Sequence, residues 1–111
     1  MRVRVVWWDL DGSQATIAEL REYLRGESVD AFAQVRGLRL KLWLADEERN
    51  RWGAVYLWES EEASRRTLPS RARAIIGKDP DFEEWFELEA SVEGAFSEAL
   101  LSRRGAAFAG A

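Results

Sequence analysis

The chain has 111 residues, enough for one domain with a core of its own. Cysteine and histidine are both absent, which excludes disulfides, thiolate nucleophiles, Cys-type zinc or iron–sulfur sites and the commonest general base. A net charge of −4 argues against a nucleic-acid backbone as the main partner.

In chain order, a first strand is expected from about Arg2 to Asp9. Val3, Val5 and Trp7 fall on one face of it and Arg4, Val6 and Trp8 on the other. Asp9 and Asp11 close this apolar run, so it is too short for a signal segment or a membrane span. A soluble cytoplasmic protein without a membrane partner is the expectation. Asp11-Gly12-Ser13 is a turn signal, and Thr16-Ile17-Ala18-Glu19 has the spacing of a capping box. Ile17, Leu20 and Leu24 recur at helical spacing until Gly26, where the helix should end. A second short helical piece then runs from Val29 to Val35 and carries Phe32.

The stretch Gly37-Leu38-Arg39-Leu40-Lys41-Leu42-Trp43-Leu44 alternates strictly. A strand gathers Leu38, Leu40, Leu42 and Leu44 into one apolar row and sets Arg39, Lys41 and Trp43 opposite. A charged hairpin from Ala45 to Arg51 leads to a third strand, Trp52 to Glu59. Ser60 is an N-cap candidate before Glu61 and Glu62, and Pro69 should interrupt the helix that follows. Gly77 and Asp79-Pro80-Asp81 stop it. A last strand is expected from about Glu84 to Val92. Phe96, Leu100 and Leu101 have the spacing of a short C-terminal helix. The domain therefore spans 1–104, with 105–111 as a flexible tail.

The order β-α-β-β-α-β is that of a ferredoxin-like α+β fold with a four-stranded antiparallel sheet. Two helices cover one face of such a sheet. The leucine row, with Val3, Val5, Trp7, Val55, Leu57, Phe86 and Leu88, is assigned to that face. The other face collects Arg4, Trp8, Arg39, Lys41, Trp43, Tyr56, Trp58, Trp85, Glu87 and Glu89. So aromatic a surface exceeds the roughly 300–600 Å² that soluble monomers leave exposed. A second copy, the C-terminal segment or a ligand must cover it. RNA stacked on sheet aromatics fits poorly, because Gly53 and Val55 stand where a third-strand recognition motif needs its rings.

The pair of central strands and the junction Trp58-Glu59-Ser60-Glu61-Glu62-Ala63, followed by a helix and an acidic last strand, resemble the small dimeric α+β-barrel proteins. More narrowly, the likeness is to monooxygenases of the YdhR type, near the antibiotic biosynthesis monooxygenase group. This resemblance implies a homodimer that closes two sheets face to face. Arg4, Trp8, Arg39, Trp43, Tyr56, Trp58, Trp85, Glu87 and Glu89 would then form the interface. It also implies a pocket between sheet and helices in each subunit, drawing on Trp7, Asp9, Tyr23, Phe32, Leu42 and Phe86. The implied reaction is oxidation of a small aromatic or polyketide-like substrate with neither metal nor other cofactor. The alternative is a non-catalytic small-ligand-binding or structural homodimer of the same fold. Relatives use Asn, Trp and His at the pocket. Here Asn50 is the only asparagine and lies in the hairpin, so no catalytic residue is assigned. Haem binding is not expected, since Met1 is the sole methionine and no His or Cys offers an axial ligand.

Overall fold

The computed structural model describes residues 1–69, 71–96 and 101–109. Strand β1 (Arg2–Asp9) is followed by α1 (Ile17–Tyr23), a π-helical turn (Leu24–Ser28) and α2 (Val29–Ala33). Strands β2 (Leu38–Asp46) and β3 (Arg51–Trp58) form the central hairpin, and α3 (Glu61–Ser64), α4 (Ala72–Ile76) and β4 (Phe82–Glu87) complete the sheet. The sheet is antiparallel throughout, in the order β2-β3-β1-β4. This is the ferredoxin-like arrangement that the element order implied. No helix among the described residues is long and apolar enough to cross a membrane.

Local chemistry accounts for most of the boundaries. The Thr16 hydroxyl accepts the Glu19 backbone N–H and the Ser60 hydroxyl accepts that of Ala63, so both helical layers begin at side-chain caps. The chain leaves helical geometry across Thr67 to Pro69, where proline has no N–H to give, and resumes it at α4. Gly77 closes α4 in the left-handed conformation, with its N–H on the Arg73 carbonyl. Gly26, by contrast, ends nothing. The helix passes through it by widening into the π-helical turn, which keeps Leu24 and Ser28 buried on the side facing the sheet. The last strand also stops sooner than alternation implied. Its partner β1 begins at Arg2, and once the Leu88 N–H has reached the Met1 carbonyl no ladder remains to extend. The helix expected around Phe96, Leu100 and Leu101 lies largely outside the described residues. Beyond it, a single 3₁₀ turn (Ala106–Phe108) docks on α1 and the π-helical turn.

The main correction concerns which face the helices cover. Val6, Trp8, Trp52, Ala54, Tyr56 and Trp58 are buried with Ile17, Leu20, Leu24, Phe32 and Ile76. The helices lie on the aromatic face. Leu40, Leu42, Leu44 and Phe86 stand 39 to 50% exposed on the opposite, open face, with Val3, Val5, Trp7, Val55 and Leu57. Both faces of this sheet are apolar, so alternation sorts residues into two rows without saying which row meets the helices. Size decides between them: aromatic side chains remove roughly 150–250 Å² each from water, and the wide rings fill the space under two short helical layers. A β-bulge between Leu38 and Leu40 also breaks the leucine row, pairing Leu38 with Trp58 on the helix side.

Gly37 anchors the start of β2. It has φ +84°, and a Cβ there would lie 2.5 Å from the Ala63 Cβ. Gly37→Ala should therefore cost about 1–3 kcal/mol, read as a fall in thermal midpoint of several degrees with the sheet signature in circular dichroism retained.

Candidate functional site

A cavity of about 600 Å³ runs along the free edge of β2. Its floor is Lys41, Trp43 and Trp52, and its wall is Leu24, Val29 and Phe32 from the π-helical turn and α2. The outer side is closed by residues 101–108, held down where Arg25 Nη1 donates to the Ala107 carbonyl at 2.8 Å and where Arg103 pairs with Asp30. The elements explain the assembly. β2 is an edge strand, so among the described residues no strand pairs with its outer side, and α1 and α2 splay from it across the π-helical turn.

Lys41 is the unusual group. Its Nζ lies 3.4 Å from the centre of the Phe32 ring, 4.4 Å from that of Tyr56 and 4.5 Å from that of Trp43. Phe32 and Trp43 meet edge to face at 5.6 Å and Tyr56 is tilted against Phe32, so the three rings form a cage open toward the cavity. Among the described residues no carboxylate pairs with this amine. Such ring faces favour an ammonium by about 0.5–2 kcal/mol each. Loss of water works against them, and so does the nearby Arg4 charge, lowering the Lys41 pKa from 10.5 to about 6. Burial likewise pushes the Tyr56 hydroxyl up, although Arg4 pulls the other way. Arg4 itself is committed elsewhere: its Nε donates to Glu83 Oε2 at 2.6 Å.

The pocket residues expected from the sequence are divided by the sheet. Phe32 and Leu42 line the cavity, Phe32 in its wall and Leu42 at its rim. Trp7 is on the open face, stacked on Phe82 with ring centres 3.8 Å apart, and Phe86 is exposed on the same face. Asp9 serves the turn after β1, accepting the Asp11 N–H. Tyr23 sits on the flank of α1, its hydroxyl 3.5 Å from the Pro69 carbonyl. Of the residues expected at a sheet-to-sheet interface, the structure buries three within their own chain and places the others at the cavity, on the helix side of the sheet or at its exposed end. Trp8, Tyr56 and Trp58 are buried within their own chain beneath the helices, with Trp8 Nε1 donating to the Lys78 carbonyl at 3.0 Å. Trp43 and Arg39 line the cavity. Arg4 and Trp85 lie on the helix side of β1 and β4, with the Arg4 guanidinium 5.8 Å from the Trp85 ring. Glu87 pairs with Arg2 at 3.6 Å, and Glu89 is exposed past the end of β4.

Sequence reasoning missed Lys41 and the chain after Leu101. Lys41 had a signal: a lysine at the middle of an apolar strand, sharing its parity with Trp43. Among the described residues no cluster of three or more acidic side chains stands ready for a metal ion.

A four-stranded antiparallel sheet with helices on one face defines a ferredoxin-like α+β protein. The chain belongs to the family described as "Putative mono-oxygenase ydhR", whose model matches residues 8–76. Among solved structures it is similar to SnoaB, a cofactor-independent oxygenase from Streptomyces nogalater, with TM-score 0.59 and 16% identity over 84% of this chain and 97% of that one. It is also similar to a protein from Deinococcus radiodurans described as a "putative antibiotic biosynthesis monooxygenase", with TM-score 0.54 and 19% identity over the same shares. At these identities the likeness is one of fold. No curated protein matches the chain.

An amine with a lowered pKa makes folding pH-dependent. The unfolded chain protonates Lys41 below pH 10.5 but the folded protein only below about 6, so the unfolded state binds more protons in between. The penalty is fully present below pH 6 and fades as the pH rises toward 10.5. Lys41→Met should raise the thermal midpoint most at pH 6 and flatten its climb toward pH 10, measured by calorimetry across that range.

Proposed function

We propose that this protein is a cofactor-independent monooxygenase for a small aromatic or polyketide-like substrate bound in the cavity beneath β2. The observation that carries the reading is the cavity itself, whose aromatic sides, Phe32, Trp43 and Trp52, fit a flat ring system. Family membership and the oxygenase fold of the structural neighbours support the reaction class. In this reading the rings orient the substrate and exclude water while oxygen reacts with it, and Lys41 is the polar group within reach on the floor. Oxygen uptake with a dihydroxyanthracene under air is the test. Trp43→Ala should lower turnover by about 10- to 100-fold, since a loosened wall misplaces the substrate. No uptake across a panel of such compounds would overturn the enzymatic reading.

One observation favours binding without turnover as the second reading. Asn50 lies in the β2–β3 hairpin and donates to Asp11 Oδ1 at 3.0 Å, and neither Asn nor a carboxylate lines the cavity among the described residues. A ligand that co-purifies and survives native mass spectrometry, unchanged under oxygen, would support that reading.

We further infer that the functional unit is a homodimer joined through the open face, the opposite of the face on which the sequence placed the contact. Leu40, Leu42, Leu44 and Phe86 form there an apolar surface of the kind that soluble monomers rarely expose. A two-fold pairing of like sheets would cover each copy with the other. Leu42→Glu should shift the sedimentation coefficient from dimer to monomer, because a carboxylate in that desolvated row costs several kcal/mol. A wild-type protein that sediments as a monomer at low micromolar concentration overturns the inference.

A further inference from the structure

The protein as a whole is acidic, yet its cavity is not. Among the described residues the cavity draws its charged side chains from one sign only: Lys41 on the floor and Arg21, Arg39, Arg103 and Arg104 around the rim. Arg21 is held by Glu47 at 2.8 Å and Arg103 by Asp30, so part of the rim is already compensated from outside. The floor is not. Lys41 has three ring faces about it and no anion, and its open side is the cavity.

The groups that face Lys41 come from each neighbouring element. Arg4 of β1 repels it, but is itself engaged by Glu83 of β4. Tyr56 of β3 offers a ring face, and Phe32 of α2 another. Arg39 on its own strand and Arg21 on α1 add positive charge at the rim, as do Arg103 and Arg104 from the C-terminal segment. An anion entering this space meets attraction from every charged side chain that lines it. Only an anion can supply the counter-charge for a protonated amine here. The aromatic walls select for flatness, the basic groups of floor and rim select for negative charge, and a single molecule satisfies both.

We infer that the natural occupant of this cavity is an aromatic acid, a flat apolar body with one anionic group that meets the Lys41 amine at the floor. The inference rests on the reading of the cavity as the ligand site and adds the charge of the ligand to it. Burial and Arg4 favour the neutral amine in the free protein, so the anion draws a proton onto Lys41 as it binds. The proton comes from solvent, an N–H forms at Nζ, no bond to carbon changes, and the resulting ammonium is the counter-ion of the bound anion. Because free Lys41 loses its proton at about pH 6, the anion must bring that proton back above this pH. Affinity for an acid should therefore fall by about tenfold per pH unit through the slightly alkaline range.

Isothermal titration calorimetry with 2-naphthoate and its uncharged isostere 2-naphthamide tests this, in buffers of different ionisation heat. The expected result is a preference for naphthoate of at least about tenfold at pH 7, with uptake of close to one proton per ligand. Lys41→Met should abolish both the preference and the proton uptake while still binding naphthamide, which shows that the cavity survives the substitution. Equal affinity for the two compounds overturns the inference, as does binding of naphthoate without proton uptake. A preference retained in Lys41→Met overturns it too, since recognition would then belong to the rim arginines. The measurement involves no turnover. A protein that oxidises a dihydroxyanthracene but treats the two naphthalenes alike loses only this inference. One that captures naphthoate and consumes no oxygen with any substrate loses only the monooxygenase reading.

Discussion

The register between β1 and β3 is the constraint on which the rest of the molecule depends. Arg4 stands opposite Tyr56, Val6 opposite Ala54 and Trp8 opposite Trp52. These pairs put Trp8, Trp52, Tyr56 and Trp58 on one side, leaving Trp7 as the wide ring of β1 on the other, and the helices cover the side where the rings are gathered. Gly53 keeps the pair close: a Cβ there would come within 2.3 Å of the Val6 carbonyl oxygen. Once this register is set, the parity of β2 follows from its own pairing with β3, and with it the inward aim of Lys41 and Trp43.

An amine in that position works against folding. Water has been removed from it and, among the described residues, no acid stands in its place, so at neutral pH folding must strip a proton from it, a penalty that an apolar residue would not impose. Groups kept under such tension are concentrated where a protein binds or reacts, because stability alone would have replaced them. The π-helical turn points the same way. It interrupts a helix that Leu20 and Phe32 would otherwise continue regularly, and it does so where Leu24 and Val29 line the cavity.

Much of the fold was legible from the sequence, because the signals for it are local. Alternation in Val3 to Trp8 and Leu40 to Leu44, the caps at Thr16 and Ser60, and Pro69 each act within a few residues and each took effect. The choice of covered face was not legible. It depends on which row fits beneath the helices, a matter of volume and long-range packing, and in this chain both rows are apolar. That one inversion moved most of the candidate site with it. Phe32 and Leu42 kept their place because one sits on a helix and the other at a strand edge that the cavity reaches from both sides. Trp7, Asp9 and Phe86 were lost to the open face or to turns, and Lys41, read only as one of the residues opposite the leucine row, proved to be the floor of the cavity.

The bulge at the start of β2 separates two jobs that one regular strand would have to share. Without the extra residue, Leu38 would fall in phase with Leu40 and turn outward, leaving the Trp58 end of the sheet thinly covered. With it, the first residue of the strand seals the core while the remainder keeps its leucines outside. The edge of the cavity and the edge of the open surface thus meet along the same eight or so residues of backbone. Whatever rests on the leucines of β2 is one peptide plane away from Lys41, so occupancy of the outer surface and the shape of the inner chamber are mechanically joined through a single strand.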